Sequence, residues 1–500
     1  MDKSSKQNPV SLELIIALLS GAMLPLAFAP FFYHPVAELS LFILLNLWSK
    51  KTPVLSARLG LCFGIGFFGS GIYWLYISIH YYGGSSVVTA LLILLLLIIG
   101  LATYYAIVGY LLNRFFPCPN YYRLLLAFPT IWTISEWLRG YCFSGFPWLF
   151  LGYSHLNTPL EGFAPVFGVY GVSFVVAQTA GAIVISYQQL KKRKFPLITM
   201  LLISLLWTVG YTLNQINWTK KKPNQQPITA CIVQGNISQA QKWQSSELDK
   251  IVNHYIELTK EALKDTKYNL IVWPEAAIPV INQKVKEQLL KLDLELQSKQ
   301  AILITGTSLY NQQTTSYFNS LIALGAASST YHKKQLVPFG EYWPFKPLLS
   351  WLENFIYIPM SDFEAGNADQ SVLRLNKLTI APFICYEIAY PDLLINYLPE
   401  ANFIVTISDD SWFGKTTAAA QHLQIAQMRS LETGRYQLFA TNTGITAIIN
   451  HRGKIIAQAA PFEIAIINSS IEAYEKLTPW VKLNKFWKSY KSQLPLNRHP

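Results

Sequence analysis

Long apolar runs dominate the chain before residue 215, whereas shorter runs alternate with amphipathic stretches after it. A helix needs about 20 mostly apolar residues to cross the hydrocarbon core of a bilayer. The run at 36–48 is shorter, so a re-entrant or interfacial segment is the alternative interpretation there. We predict about seven membrane spans, at 12–32, 36–48, 59–80, 86–112, 122–138, 163–188 and 195–214.

The remaining chain has the pattern of a layered α/β domain. Leu248, Val252 and Tyr255 recur on one helical face, with charged residues on the opposite face. Helices are predicted at 245–264, 285–299 and 421–435. Short β-branched runs predict strands at 228–234, 269–274, 301–307, 318–324, 377–385, 402–408, 437–442, 445–450 and 463–468. Helices that alternate with strands in this way typically cover the faces of sheets.

These patterns divide the chain into four segments. They are a transmembrane helical domain at 1–214, a polar linker at 215–227, the layered domain at 228–477 and a basic, aromatic tail at 478–500.

Loop charges predict the orientation of the spans. Outside loops before residue 215 carry only Arg139. With the N-terminus inside, the inside segments carry Lys3, Lys6, Lys50, Lys51, Arg58, Arg114, Arg123 and the basic run 191–194. Because basic residues favour the cytoplasmic side, an odd number of spans places everything after residue 215 outside the cytoplasm.

Composition agrees with a membrane protein and narrows the classes of function. Hydrophobic residues make up 51% of the chain and charged residues only 14%. The net charge of +12 does not indicate nucleic-acid binding, because the basic residues are not gathered with aromatics into one patch. The five cysteines show no spacing typical of a metal site. Pro30 directly follows a possible signal-peptide cleavage site at 27–29, so we predict a retained anchor.

A carboxylate, an amine and a thiol each lie at or just after the end of a strand-like run. They are Glu275 after Trp273-Pro274, Lys333 after Tyr331-His332, and Cys385 after Ile384. Alone, each has an ordinary structural interpretation: a helix cap, a surface lysine and an inert core thiol. Together they supply a base, a cation for an oxyanion and a nucleophile, as acyl transfer through a thioester requires.

Two further carboxylates and an aromatic segment accompany this trio. Glu341 follows a Gly turn, and Glu387 lies two residues after Cys385, where a strand gives way to a turn. The segment 342–365 is rich in aromatic residues and broken by prolines. We interpret it as an arm that enters the membrane interface, with a loop packed on the core as the alternative.

The motifs resemble those of the nitrilase superfamily and, within it, the membrane-bound bacterial apolipoprotein N-acyltransferase family. The motifs that carry the resemblance are 233–237, 242–243, 273–275, 331–333, 336–341, 384–387 and 411–415, with 136–140 and 145–148 in the membrane part. The resemblance implies a multi-span α-helical membrane bundle followed by a nitrilase-like α-β-β-α sandwich.

The resemblance also implies roles for individual residues. Glu275 would be the base, Lys333 the cation beside the oxyanion and Cys385 the nucleophile. Supporting roles would fall to Glu341, Glu387 and Tyr386, and substrate binding to Trp243, Trp412, Arg139 and Trp148.

The implied reaction is acyl transfer from a membrane phospholipid, through a cysteine thioester, to the N-terminal amine of a diacylglyceryl-cysteine apolipoprotein. No cofactor, metal or nucleic acid is expected, and we predict a monomer in the bacterial inner membrane with its catalytic domain on the periplasmic side. One departure concerns the tail, because the family usually has a final span there. Lysines recur too often at 478–500 for a span, so we predict that the tail lies at the interface.

Two alternatives remain open from the sequence. A membrane-tethered amidase would use the same triad with water as the second nucleophile. A transporter with an outer binding domain would need polar or charged groups within its spans, where only Glu136 lies near a span end.

The topology is directly testable. A reporter that is active only outside the cytoplasm, fused at the C-terminus, should be active because the loop charges place residues 215–500 outside. Activity of the same fusion with a cytoplasm-specific reporter would indicate an additional crossing or a wrong span count through 36–48.

Overall fold

The computed structural model describes residues 9–342 and 363–493, which form two compact units. The first unit contains the residues up to Tyr76 together with Ser86–Asn217. The second contains Ile77–Ser85 and the chain from Trp218 onward. The boundary at residue 217 falls inside the predicted linker, but the short segment Ile77–Ser85, from the membrane part of the sequence, belongs to the second unit.

The first unit is helical. Its helices are α1 (Pro9–Met23), α2 (Pro35–Trp48), α3 (Pro53–Gly71), α4 (Val87–Phe115), α5 (Phe128–Arg139), α6 (Ala164–Lys191) and α7 (Leu197–Gln215). Side chains cap two of them: the Thr52 hydroxyl accepts from the Leu55 amide at 3.3 Å, and the Ser86 hydroxyl accepts from the Thr89 amide at 3.1 Å.

Five segments of the described chain are long and apolar enough to cross a membrane: Val10–Ala27, Pro53–Gly71, Val87–Phe115, Pro159–Lys191 and Leu197–Gln215. The predicted span at 36–48 is a shorter apolar helix, and the one at 122–138 becomes a π turn at Arg123–Ala127 followed by the 12-residue α5. Five predicted spans therefore coincide with helices of spanning length, and the other two stay predictions.

Glycines allow α1, α3 and α4 to pack with their backbones close together. A Cβ added at Gly21 would lie 1.9 Å from the carbonyl oxygen of Phe63, and one at Gly60 would lie 2.2 Å from that of Tyr105. Such contacts are possible only without a side chain. Small residues commonly serve this purpose in membrane helices, where dispersion contacts replace the hydrophobic effect as the packing force.

The second unit is built on two sheets. One has the strand order β14-β2-β3-β5-β6-β7, with β4 beside β5, and the other has the order β13-β12-β11-β10-β9-β8. β1 pairs only with β15. In chain order the strands are β1 (Lys220–Lys221), β2 (Ile228–Gln234), β3 (Leu270–Val272), β4 (Ile278–Val280), β5 (Ile302–Asn311), β6 (Ser316–Gly325), β7 (Ser329–His332), β8 (Leu373–Leu375), β9 (Leu378–Ile384), β10 (Phe403–Ser408), β11 (Tyr436–Thr441), β12 (Ala447–Ile449), β13 (Ile455–Gln458), β14 (Ala465–Ile471) and β15 (Tyr474–Glu475).

Helices cover the outer faces of both sheets. They are α8 (Leu248–Asp265), α9 (Gln283–Ser298), α10 (Pro391–Tyr397), α11 (Ala418–Thr433) and α12 (Pro479–Gln493). Successive side chains of β2 point to opposite faces of its sheet and so show the layers of the domain. Ala230 and Ile232 enter the core between the sheets, whereas Cys231 and Val233 enter the core that α8 and α9 close. The predicted α-β-β-α sandwich is confirmed.

The three candidate catalytic residues lie at or shortly after the ends of strands. Cys385 directly follows β9, and Lys333 directly follows β7. Glu275 lies three residues after β3. β9 and β10 run parallel in one sheet, and β3 runs parallel to β2 and β5 in the other. Most of the predicted aromatic arm, residues 343–362, lies outside the described residues.

Candidate active site

The backbone at Cys385 is in the left-handed region. Its φ is +54°, which is unfavourable for a residue with a Cβ and marks a constrained position. The residue ends β9 and begins a 3-10 turn at Cys385–Ala389. A thiol on such a sharp turn is lifted out of the sheet, and Cys385 is accordingly only half-buried.

Glu387 fixes this turn to the neighbouring loop. One carboxylate oxygen accepts from the Ile384 amide at 2.8 Å. The other accepts from the Lys334 amide at 2.7 Å, the Gln335 amide at 3.1 Å and the Tyr331 hydroxyl at 2.9 Å. The side chain is fully buried, and burial raises its pKa. Glu387, predicted as a supporting active-site carboxylate, joins the loop after β7 to the cysteine turn. Its part in the chemistry stays a prediction.

A buried cluster surrounds the amine of Lys333. Its Nζ donates to Glu341 Oε1 at 2.8 Å and lies 3.6 Å from Glu275 Oε1. Asn319 Nδ2 donates to the same two oxygens, at 2.9 and 2.7 Å. Glu275 Oε2 accepts from the Asp409 amide at 2.9 Å. Lys333 is 1% exposed, Glu341 6% and Glu275 7%, so all three groups are withdrawn from water.

Burial and mutual charge set the protonation of the cluster. Burial raises the pKa of Glu275, and the Lys333 cation opposes this effect. Burial alone would lower the pKa of Lys333, but the carboxylates of Glu341 and Glu275 outweigh it and raise that pKa overall. Although Cys385 as a whole residue is half-buried, desolvation of its thiol and the charge of Glu275 raise the pKa of Cys385 well above its ordinary value, with Lys333 opposing. The thiol is therefore neutral and lies within electrostatic range of a carboxylate and an ammonium.

A buried ion pair orients the Asp409 amide. Lys242 Nζ lies 2.5 Å from Asp409 Oδ2, and their side chains are 1% and 4% exposed. Asp409 Oδ1 accepts from the Ser411 hydroxyl and from Asn442 Nδ2. With its carboxylate held on both oxygens, Asp409 presents its amide to Glu275. Lys242 belongs to the motif 242–243, but no local pattern in the sequence indicates its ion pair with Asp409.

His422 supports the cysteine turn from α11. Its Nε2 lies 3.2 Å from the Cys385 carbonyl oxygen, and its Nδ1 lies 3.0 Å from Asp410 Oδ1. Ser408 Oγ donates to that same Asp410 oxygen at 2.8 Å. Nε2 must carry a proton here, because a carbonyl oxygen only accepts. The imidazole thus links the end of β10 to the strained residue.

Asn319 could not have been found from the sequence. It lies within β6, where a polar residue beside Phe318 indicates only a position on a strand. Its role arises because residues distant in the chain, Glu275 and Glu341, converge on its amide in the folded domain.

Predicted aromatic binding residues of the second unit are partly accessible. Trp243 is 42% exposed and Trp412 is half-buried. Tyr386, for which a supporting role was predicted, is also half-buried, and that role stays a prediction. The Trp412 carbonyl accepts from Ser78 Oγ at 2.8 Å, and its ring meets Tyr82 edge-on at 5.8 Å. The segment Ile77–Ser85 therefore packs on the Trp412 loop. Substrate binding by these aromatic residues stays a prediction.

Arg139 and Trp148 are buried in the first unit. Arg139 Nη1 donates to the carbonyl oxygens of Phe146 at 3.0 Å and Trp148 at 2.5 Å, and the guanidinium lies 4.8 Å from the ring centre of Phe150. The Trp148 ring packs against Trp74 at 5.4 Å. In the structure, these two residues order the segment at 146–149. Substrate binding by them stays a prediction.

Comparison with known proteins identifies relatives of both units. Residues 20–182 match the family model described as the apolipoprotein N-acyltransferase N-terminal domain, and residues 229–476 match that of carbon-nitrogen hydrolase. A Coxiella burnetii protein named apolipoprotein N-acyltransferase is 42% identical over 473 residues, 94% of this chain and 96% of that protein. A Nitrosomonas europaea protein of the same name is 38% identical over 478 residues, 94% of this chain and 93% of that protein. A solved carbon-nitrogen hydrolase from Helicobacter pylori G27 aligns with 55% of this chain and 97% of its own, at 15% identity and a TM-score of 0.38.

The buried pair of Lys242 and Asp409 should be tested by a paired substitution. Lys242→Met leaves the Asp409 carboxylate buried without its cation, which costs about 3–5 kcal/mol for such pairs. We expect a clear fall in the melting midpoint in detergent and loss of activity. Lys242→Met combined with Asp409→Asn removes both charges and should recover most of the midpoint.

Lys260→Met is the matched control, because Lys260 pairs with Glu257 at an exposed site. It should leave the midpoint unchanged. A wild-type midpoint for the single Lys242 variant would contradict the importance of the buried pair.

Proposed function

The chain belongs to the apolipoprotein N-acyltransferase family, and we propose that Cys385 carries the acyl group between the two substrates. Members of this family are acyltransferases, and the apolipoprotein is the acceptor. The observation that supports the proposal most strongly is the buried cluster of Lys333 with two carboxylates, formed at strand ends beside the thiol. Family membership also favours acyl transfer over the amidase alternative.

In the first half-reaction, Glu275 takes the proton of the Cys385 thiol. The thiolate attacks the ester carbonyl carbon of a membrane phospholipid, and the carbonyl oxygen becomes an oxyanion. The Lys333 ammonium, with a backbone N–H near the cysteine, stabilises that oxyanion. When the tetrahedral intermediate collapses, the ester C–O bond breaks. Glu275 returns its proton to the departing lysophospholipid oxygen, and an acyl thioester remains on Cys385.

In the second half-reaction, the amine of the diacylglyceryl-cysteine attacks the thioester carbonyl carbon. Glu275 takes a proton from that amine, and Lys333 stabilises the second oxyanion. The C–S bond then breaks, an amide forms, and the thiolate of Cys385 recovers a proton from Glu275. Because both half-reactions use the same groups, the proposal describes a ping-pong mechanism.

The neighbours of the triad hold it in its working geometry. Glu341 keeps Lys333 charged, so this lysine serves as a cation and cannot act as a nucleophile. Asn319 holds the Glu275 and Glu341 carboxylates together through one amide. The Asp409 amide binds the second oxygen of Glu275. We assign positioning roles to these three residues.

The five apolar helices and the family membership identify a membrane protein. We propose that it resides in the inner membrane with the second unit on the periplasmic side, because basic residues concentrate in alternate loops. A phospholipid donor fits an enzyme that is embedded in the same membrane as that donor. We further propose that the enzyme acts as a monomer.

The role of Cys385 can be tested by substitution and by trapping. Cys385→Ala should abolish N-acylation, and Cys385→Ser should also fail, because a hydroxyl is far harder to ionise than a thiol. Incubation of wild type with acyl-labelled phospholipid, without acceptor, should label the protein, and neutral hydroxylamine should release the label as a thioester would. Cys118→Ala, at an exposed cysteine, is the control and should remain active. Near-wild-type activity of either Cys385 variant would place the nucleophile elsewhere.

The acid limb of the pH profile should report Glu275. As pH falls through its pKa, the carboxylate gains a proton and can no longer accept one from the thiol, so kcat/KM should fall. Burial raises that pKa, which places the limb above that of an ordinary glutamate. The hydrogen bond from Asn319 lowers the pKa, so Asn319→Ala should move the limb to higher pH.

Asn253→Ala, at an exposed asparagine of α8, should leave the limb in place. The melting midpoint of each variant should be measured alongside, so that lost folding is not mistaken for a shifted limb. An acid limb that Asn319→Ala leaves unmoved would contradict the assignment of the base.

A further inference from the structure

Two lysines of the last described helix, α12, turn toward the body of the second unit. Lys485 Nζ donates to the Leu398 carbonyl, and Lys488 Nζ donates to Asp392 O at 3.1 Å and to Asn396 Oδ1 at 2.8 Å. Val481 is fully buried in the core of the second unit. These contacts fix the rotation of α12 about its own axis.

The opposite face of α12 is apolar and aromatic. Leu483 is 42% exposed, Phe486 63%, Trp487 52% and Tyr490 49%. Their spacing of three, four and seven residues places them in one stripe. We call these four residues the outer stripe. Because the inward lysines hold the helix in place, the outer stripe cannot rotate into the core.

We propose that α12 lies on the membrane surface, with the outer stripe inserted among the lipid headgroups and the first acyl carbons. Trp and Tyr favour this interface because their rings are amphipathic. A helix with one apolar stripe and neighbouring lysines is typical of segments that lie in the plane of a membrane.

Charge favours a lipid surface over a second copy of the chain. Residues 478–500 include four lysines and one arginine but no aspartate or glutamate. Lys485 and Lys488 turn inward, but Lys482 is exposed beside the outer stripe. Two such helices packed face to face would bring these like charges together, whereas anionic lipid headgroups attract them. The occupant of this surface is therefore a bilayer with anionic lipid.

The proposal concerns how the second unit engages the bilayer, and it does not depend on the identity of the nucleophile. The inactive Cys385→Ala variant should behave like wild type in the test below. A failure of the mechanism in the preceding section and a failure of this proposal are therefore distinguishable.

The test places a photo-crosslinking benzoylphenylalanine at Phe486 or, separately, at Trp487. The full-length enzyme is reconstituted in vesicles of phosphatidylethanolamine and phosphatidylglycerol, irradiated and digested, and the labelled peptides are analysed by mass spectrometry. The same amino acid at Glu257, whose side chain is 70% exposed on α8, is the matched control. We expect phospholipid adducts at 486 and 487 in at least tenfold excess over 257.

Adducts between the probe and a second copy of the chain would overturn the proposal in favour of a protein interface. Equal lipid yields at all three positions, or no lipid adduct at 486 and 487, would overturn it as well.

Discussion

The site depends on a single ammonium group held between two buried carboxylates. Lys333, Glu275 and Glu341 together carry one net negative charge in a space with little water. In the proposed mechanism, transfer of the thiol proton to Glu275 moves the negative charge from oxygen to sulfur and leaves the total unchanged. Little solvent has to reorganise around such a transfer, because the compensating cation is already in place. Removing Lys333 would leave two buried carboxylates without their cation.

This arrangement exists only when the sandwich is complete. The four elements that supply the cysteine, the lysine, the base and the Asp409 amide come from both sheets, and each group lies at or shortly after a strand end. The apolar core between the sheets therefore sets the distances within the site. The ion pair of Lys242 with Asp409 and the imidazole of His422 then fix the loops that the sheets bring together.

Local patterns in the sequence indicated strands and candidate residues, but they gave no signal for contacts between distant residues. The predicted strand 228–234 coincides with β2, and the three candidate residues of the proposed triad were recognisable because each one follows an apolar strand. Lys242 and Asp409 are separated by 167 residues, so no local pattern could pair them. The lysines of the tail were visible in the sequence, but their periodicity does not say which of them turn inward. That choice is made by the Asp392 carbonyl oxygen in the first turn of α10 and by the Leu398 carbonyl oxygen directly after that helix.

The carboxylate of Glu387 has a mechanical consequence. Because four donors converge on it, the turn that carries Cys385 and the loop next to Lys333 share one anchor. They have few independent degrees of freedom and behave as a single stiff body. If Cys385 carries the acyl group as proposed, acyl chains that differ in length or unsaturation must be accommodated by walls further from the reacting carbon. A stiff reaction centre with an adaptable periphery can tolerate a mixed lipid supply without altering the chemistry that every acyl chain undergoes.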